Sequence, residues 1–170
     1  LLGDFEKKIR RKYFQTNELL GRGKVLVAYE NNDQKYIHNI AIKRLNFIRK
    51  KMSLLDANSY FDVSKFYIRG LYLGFDSLLN NYSIIFLVRD PLMNMKSFLN
   101  RNKNFLLDNS LPNVKSNELI IDHYDFEKGE FYLWAWSEIF LRYKKISNFH
   151  KVNKSIIFET ENLHSKKKII

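Results

Sequence analysis

The spacing of apolar residues changes period several times along this chain. Over residues 34–55, Ile37, Ile40, Ala41, Leu45 and Ile48 recur every three or four positions, which predicts an amphipathic helix with one core-facing stripe. The period breaks at Ser83-Ile84-Ile85-Phe86-Leu87-Val88. This run has no charge and five apolar residues out of six, so it predicts a short strand covered on both faces, as a parallel sheet requires. Helical spacing returns over residues 131–146, where Tyr132, Trp136, Ile139, Phe140 and Tyr143 form an aromatic stripe, read as packing and not as a cofactor box. Ser155-Ile156-Ile157-Phe158 then reads as a second strand.

The remaining segments fill in around these. Residues 3–20 predict a basic helix, and the apolar run at residues 25–29 suits either strand or helix. An aromatic-apolar approach at residues 60–64 leads through Lys65 into a helical run ending near Tyr82, with Phe66, Leu71, Leu73, Phe75, Leu78 and Leu79 as core candidates. Read as a strand-to-helix switch, this approach and the strand at residue 83 make a strand-helix-strand unit. The expected fold is α/β, a parallel sheet flanked by helices in three layers, within a single domain over residues 1–170. Residues 101–130, rich in Asn and Asp and containing Pro112, are long for a connector and read as a lid or acceptor loop.

Chemistry concentrates where the first strand ends. Arg89 follows Val88 directly, at the carboxyl edge where open α/β sheets bind ligands, and its planar guanidinium can grip a phosphate through two parallel N–H bonds. Asp90 is suited to cap, and Pro91 to begin, a helix over residues 92–99. Ser97 stands eight residues beyond Arg89, two turns into that helix, and would share a ligand with the arginine if strand edge and helix flank curve around one anion. Lys65, 24 residues before Arg89, would bring a second cation to the same edge. The plain alternative pairs Arg89 with a surface carboxylate and leaves Ser97 an ordinary helical serine.

Taken together, Val88-Arg89-Asp90-Pro91 with Ser97, the Ser64-Lys65 pair upstream, a Trp-bearing helix, and a late strand running into Thr160-Glu161-Asn162-Leu163 resemble the sulfotransferases that use 3′-phosphoadenosine 5′-phosphosulfate (PAPS). The likeness spans residues 60–163 and implies the P-loop-like fold of that family. It implies that Arg89 and Ser97 bind the 3′-phosphate of the donor and that Lys65 stabilises charge near the transferring sulfuryl group, with a hydroxyl or amine of a carbohydrate, lipid or small molecule as acceptor. The late strand of the family usually ends in Tyr-Glu-Asp-Leu; Thr160 stands at the tyrosine position and Asn162 at the aspartate. Sulfuryl transfer asks mainly for positioning and charge neutralisation, which fixed Lys and Arg groups supply, so no metal is expected.

Two departures accompany the likeness. The family's 5′-phosphosulfate loop is not found: Gly21-Arg22-Gly23-Lys24 is followed by Val25 where a hydroxyl is needed, and reads as a helix end or turn. The chain begins at Leu1, and the expectation is a fragment missing the family's N-terminal strand and phosphate loop. The base is also open. Tyr67 occupies the position where some members carry a histidine, Glu6, Glu18 and Glu30 are candidates from the early chain, and His123 reads as a surface histidine.

Charge and composition narrow the alternatives. The formal charge of +11 points to an anionic partner, a nucleotide donor in the leading reading, with nucleic acid the alternative that a basic binding module would require. A kinase relative lacks a Walker loop, and an inactive sulfotransferase-like fragment stays open. His38, His123, His150 and His164 stand singly and cysteine is absent, so no metal-ligand spacing occurs and disulfides are excluded. No run of about 20 apolar residues is present, so a soluble domain is expected, assigned to the cytoplasm.

Overall fold

The computed structural model describes residues 24–64, 66–100 and 110–164. The chain divides into two compact units, residues 1–78 and 79–170. The basic helix expected over residues 3–20 and the glycine-rich run at residues 21–23 lie outside the described residues, as does Lys65.

The first unit is helical where described. The ambiguous run becomes helix α1 (Lys24–Glu30), which buries Val25, Ala28 and Tyr29. Helix α2 (Gln34–Leu54) starts where Asp33 accepts a hydrogen bond from the Tyr36 backbone N–H at 2.9 Å, satisfying one of the donors a helix start leaves open. It buries all five residues of its apolar stripe and Arg44 with them. Arg44 is tolerated inside because its guanidinium pairs with Asp62.

A wide turn, Tyr67–Leu71, then leads into α3 (Tyr72–Leu78). Gly70 makes the joint, with φ at 134° and a would-be Cβ 2.9 Å from the Tyr29 Cβ, so both backbone sign and space demand glycine. Gly74 lets α3 approach α2 closely: a Cβ there would meet the Ala41 Cβ at 2.7 Å and the Ile37 carbonyl oxygen at 2.8 Å. Of the expected core face Leu71 and Phe75 are buried, and Tyr72 takes a core place that Leu73 does not.

The approach at residues 60–64 is not a strand. Asp62 is paired with Arg44, Phe61 and Val63 are 75% and 80% exposed, and among the described residues no strand pairs with this segment. The strand-helix-strand unit expected to begin there therefore has no first strand among the described residues.

The second unit holds a two-stranded parallel sheet of β1 (Tyr82–Val88) and β2 (Val152–Glu159), with Ile85 opposite Ile156 and Val88 opposite Glu159. Mixed helix and parallel strand is the class the sequence predicts. Coverage differs from expectation: β1 alternates, with Ile85 and Leu87 54% and 55% exposed. On its other face Phe86 stacks on Tyr143 of the helix α5 (Lys128–Ser147), ring centroids 4.3 Å apart. Among the described residues no element covers the other face of this sheet, which leaves the alternate residues exposed whatever their hydropathy.

Helix α5 begins at a capping box, in which Glu127 and Glu130 each bind the other's backbone. Its buried face keeps Tyr132 and Tyr143 of the predicted stripe but is otherwise rotated from it. Phe131, Trp134 and Ala135 pack under Leu119, Ile121, Tyr124 and Phe126, whereas Trp136, Ile139 and Phe140 are only half-buried. Further along, Glu138 and Arg142 are buried as an ion pair at 2.5 Å. Arg142 also donates to Ser110 Oγ and Asn117 Oδ1, both at 3.0 Å, and Glu138 accepts the backbone N–H groups of Glu118 and Leu119. Residues 110–121 are thus pinned to α5. Residues 101–109 of the expected lid lie outside the described residues.

Candidate functional site at the sheet edge

The strand-to-helix turn is built as its residues dictate. Strand β1 ends at Val88, Asp90 caps helix α4 (Pro91–Leu99) by accepting the Met93 backbone N–H at 2.8 Å, and Pro91 opens the helix. Arg89 lies between strand end and cap and is half-buried. Among the described residues no hydrogen bond or ion pair engages its guanidinium. No described carboxylate lies within ion-pair distance of it, although the exposed Glu161 carboxylate is near enough to feel its charge.

Parallel pairing brings the carboxyl end of β2 beside this turn. The chain leaves β2 as a short 3₁₀ helix, Thr160–His164, and Glu161 Oε1 accepts the Asp90 backbone N–H at 3.2 Å. The Glu161 carboxyl is held below the ordinary carboxylate range, first by its own backbone N–H, then by the Asp90 N–H, with the Thr160 hydroxyl and the Arg89 charge adding to the effect. Asn162 donates to Glu159 at 2.6 Å and closes the same turn.

The opposite wall comes from α5. Tyr132 lies with its ring centroid 5.0 Å from that of Phe98 on α4. Burial pushes its phenol up, and the Arg89 charge pulls the other way, so the guanidinium acts on this hydroxyl as well. A Cβ on Gly129 would come 3.3 Å from Met95 Sδ, so the start of α5 lies close against α4. Ser97 adjoins Phe98 in sequence, half-buried and seven residues after the cap, about 10 Å along the helix.

Arg89 and Ser97 thus belong to one strand-turn-helix, with Tyr132 next to both Phe98 and the arginine's field. Lys65 lies outside the described residues and in the other unit. Ser64 beside it has a buried hydroxyl. Tyr67, at the position of the family's histidine, stacks on Phe75 with centroids 6.0 Å apart, a packing role. His123 is exposed, as a surface histidine would be.

Two residues of this corner were not singled out as site residues from sequence, Glu161 and Tyr132. Glu161 was legible through the pairing: two parallel strands in register must bring their carboxyl ends together. Tyr132 carried no such signal, because its place depends on how α4 crosses α5. Among the described residues no cluster of His, Cys, Asp or Glu could hold a metal ion, and no helix is long and apolar enough to cross a membrane.

No family model, curated protein or solved structure matches the chain.

Proposed function

We propose that this chain is a sulfotransferase-like domain that binds PAPS and moves its sulfuryl group to a hydroxyl or amine of a carbohydrate, lipid or small-molecule acceptor. The observation that carries this reading is the Arg89 corner: a guanidinium at the carboxyl edge of a parallel strand, hydrogen-bonded to no described side chain, followed at once by a capped helix carrying Ser97. That chemistry fits a phosphate dianion. Arg89 can give two parallel charge-assisted bonds, and Ser97 a hydroxyl from the flank of α4.

The late turn supports the same reading. Glu161 fixes the Asp90 backbone and, with Asp90, holds the strand-to-helix turn in one geometry, so Arg89 is presented without further ordering when a ligand arrives. The Tyr132 ring, next to Phe98, walls the corner on one side. The three-layer P-loop-like architecture is part of this proposal, with β1 and β2 as two of its parallel strands.

The donor supplies an activated sulfuryl group. As the acceptor oxygen or nitrogen bonds to sulfur, the bond from sulfur to the 5′-phosphate oxygen breaks and the acceptor proton passes to a base. Lys65, by the family likeness, neutralises charge on the sulfuryl oxygens.

Incubation of the protein with donor carrying labelled sulfate and a panel of hydroxylated sugars, lipids and amines tests the activity. Label should appear in an acceptor, and Lys65→Ala should lower kcat while leaving affinity for adenosine 3′,5′-bisphosphate intact. A chain that binds nucleic acid with strong salt dependence, tolerates Arg89→Ala and transfers no label would contradict the proposal.

A further inference from the structure

We propose that the C-terminal end of α2 and the segment after it form a surface that binds anionic lipid membranes peripherally. Four large apolar side chains stand out into water within ten residues: Leu54 and Leu55 are each 74% exposed, Phe61 75% and Val63 80%. Water is an unfavourable solvent for each, and burial against hydrocarbon is the favoured alternative.

The backbone that presents them is held in place. The Leu55 N–H bonds the Lys51 carbonyl at 3.1 Å and the Ala57 N–H bonds the Met52 carbonyl at 2.9 Å, closing the helix end. At the other side of the patch, Asp62 is tied to the buried Arg44. Phe61 and Val63 flank that anchor and are exposed.

Charge surrounds the apolar group. Helix α2 carries Lys35, Lys43, Arg44, Arg49, Lys50 and Lys51 and no acidic residue. At about 100° per residue, Lys43, Phe47, Lys50, Lys51 and Leu54 fall within an arc of roughly 100° on one side of the helix. Lys43, Lys50 and Lys51 are exposed there, and the Lys51 ammonium lies 5.1 Å from the Phe47 ring centroid. Cations on long stems beside exposed Leu and Phe are the combination that binds an anionic interface: ammonium groups meet headgroup phosphates while the apolar tips enter the acyl boundary.

Nucleic acid would satisfy the lysines and could stack on Phe61, but not the aliphatic side chains. Leu54, Leu55 and Val63 are aliphatic and offer no ring for a base to stack upon, so a polynucleotide would leave them in water.

Sedimentation of the protein with lipid vesicles tests this. The protein should pellet with phosphatidylcholine vesicles that contain phosphatidylserine, and not with phosphatidylcholine alone, with binding that weakens as salt rises. Replacing Lys43, Lys50 and Lys51 together by Ala should lower the partition coefficient about a hundredfold, at about fivefold per lysine. Leu54→Ser with Leu55→Ser, or Phe61→Ser with Val63→Ser, should each lower it at least about tenfold with the thermal unfolding midpoint unchanged. Arg89→Ala should bind vesicles as the wild type does, which separates this surface from the nucleotide corner. Absence of binding to phosphatidylserine vesicles, indifference to the Leu54 and Leu55 changes, or displacement of bound protein from vesicles by single-stranded RNA would overturn it.

Discussion

Two arginines in the second unit sit in opposite circumstances. Arg142, on α5, has its side chain 1% exposed and is bonded to Glu138, Ser110 and Asn117. Arg89, at the end of β1, is half-buried and has no bonded partner among the described residues. The first ties residues 110–121 to a helix. The second has no hydrogen bond or ion pair among the described residues and stands at a sheet edge. A buried cation bonded to three side chains is structural, and a cation at a capped turn with no hydrogen bond among the described residues is suited to a ligand. Residue type alone cannot separate the two roles; the supply of local acceptors does.

The comparison breaks most readily at Arg142. Truncating it to Ala leaves the Glu138 carboxylate buried without its cation, and should cost about 3–5 kcal/mol in urea-induced unfolding. Arg89→Ala should lower the unfolding free energy by no more than about 0.5 kcal/mol, since it removes no hydrogen bond or ion pair among the described residues. Equal losses for the two would erase the distinction.

Within the corner, Asp90→Ala removes the cap of α4 and should cost about 1 kcal/mol of stability while loosening nucleotide binding with it. Ser97→Ala removes one neutral hydroxyl and should weaken adenosine 3′,5′-bisphosphate by about twofold to tenfold, read by calorimetric titration.

The smallest effect concerns Glu161. Its carboxyl is depressed in the folded chain, so the stabilisation it gives is complete above the ordinary carboxylate range and is lost as pH falls through the depressed value. Glu161→Gln should flatten that acid limb slightly in unfolding curves taken at successive pH. An unchanged limb would mean that the Asp90 N–H gains nothing from this carboxylate.

Local features of the corner were legible in the sequence because they are set by neighbours in the chain. Asp90 and Pro91 fix the start of α4, and the uncharged run before Arg89 fixes β1, each within a few residues of its cause. The stripe of α2 was legible for the same reason. Long-range partners decided what was not. Glu138 and Arg142, four apart on a helix, carry no local sign of burial; Ser110 and Asn117, more than twenty residues away, supply their buried partners. The buried face of α5 is rotated toward Trp134 by the loop packed on it, which no period within the helix reports. Residues 60–64 have the composition of a strand, yet Asp62 is held by Arg44 and among the described residues no strand pairs with them. The second layer over β1 was inferred from hydropathy alone, and Ile85 and Leu87 show that apolar content does not guarantee cover.

The central claim is that Arg89 holds a phosphate dianion, and calorimetric titration of the wild type and Arg89→Ala with adenosine 3′,5′-bisphosphate tests it most directly. A charge-assisted bond contributes about 1.5–3 kcal/mol, so the variant should bind roughly tenfold to a hundredfold more weakly while unfolding at the same urea concentration. Equal affinity in the two proteins, or no binding to the wild type, would contradict it.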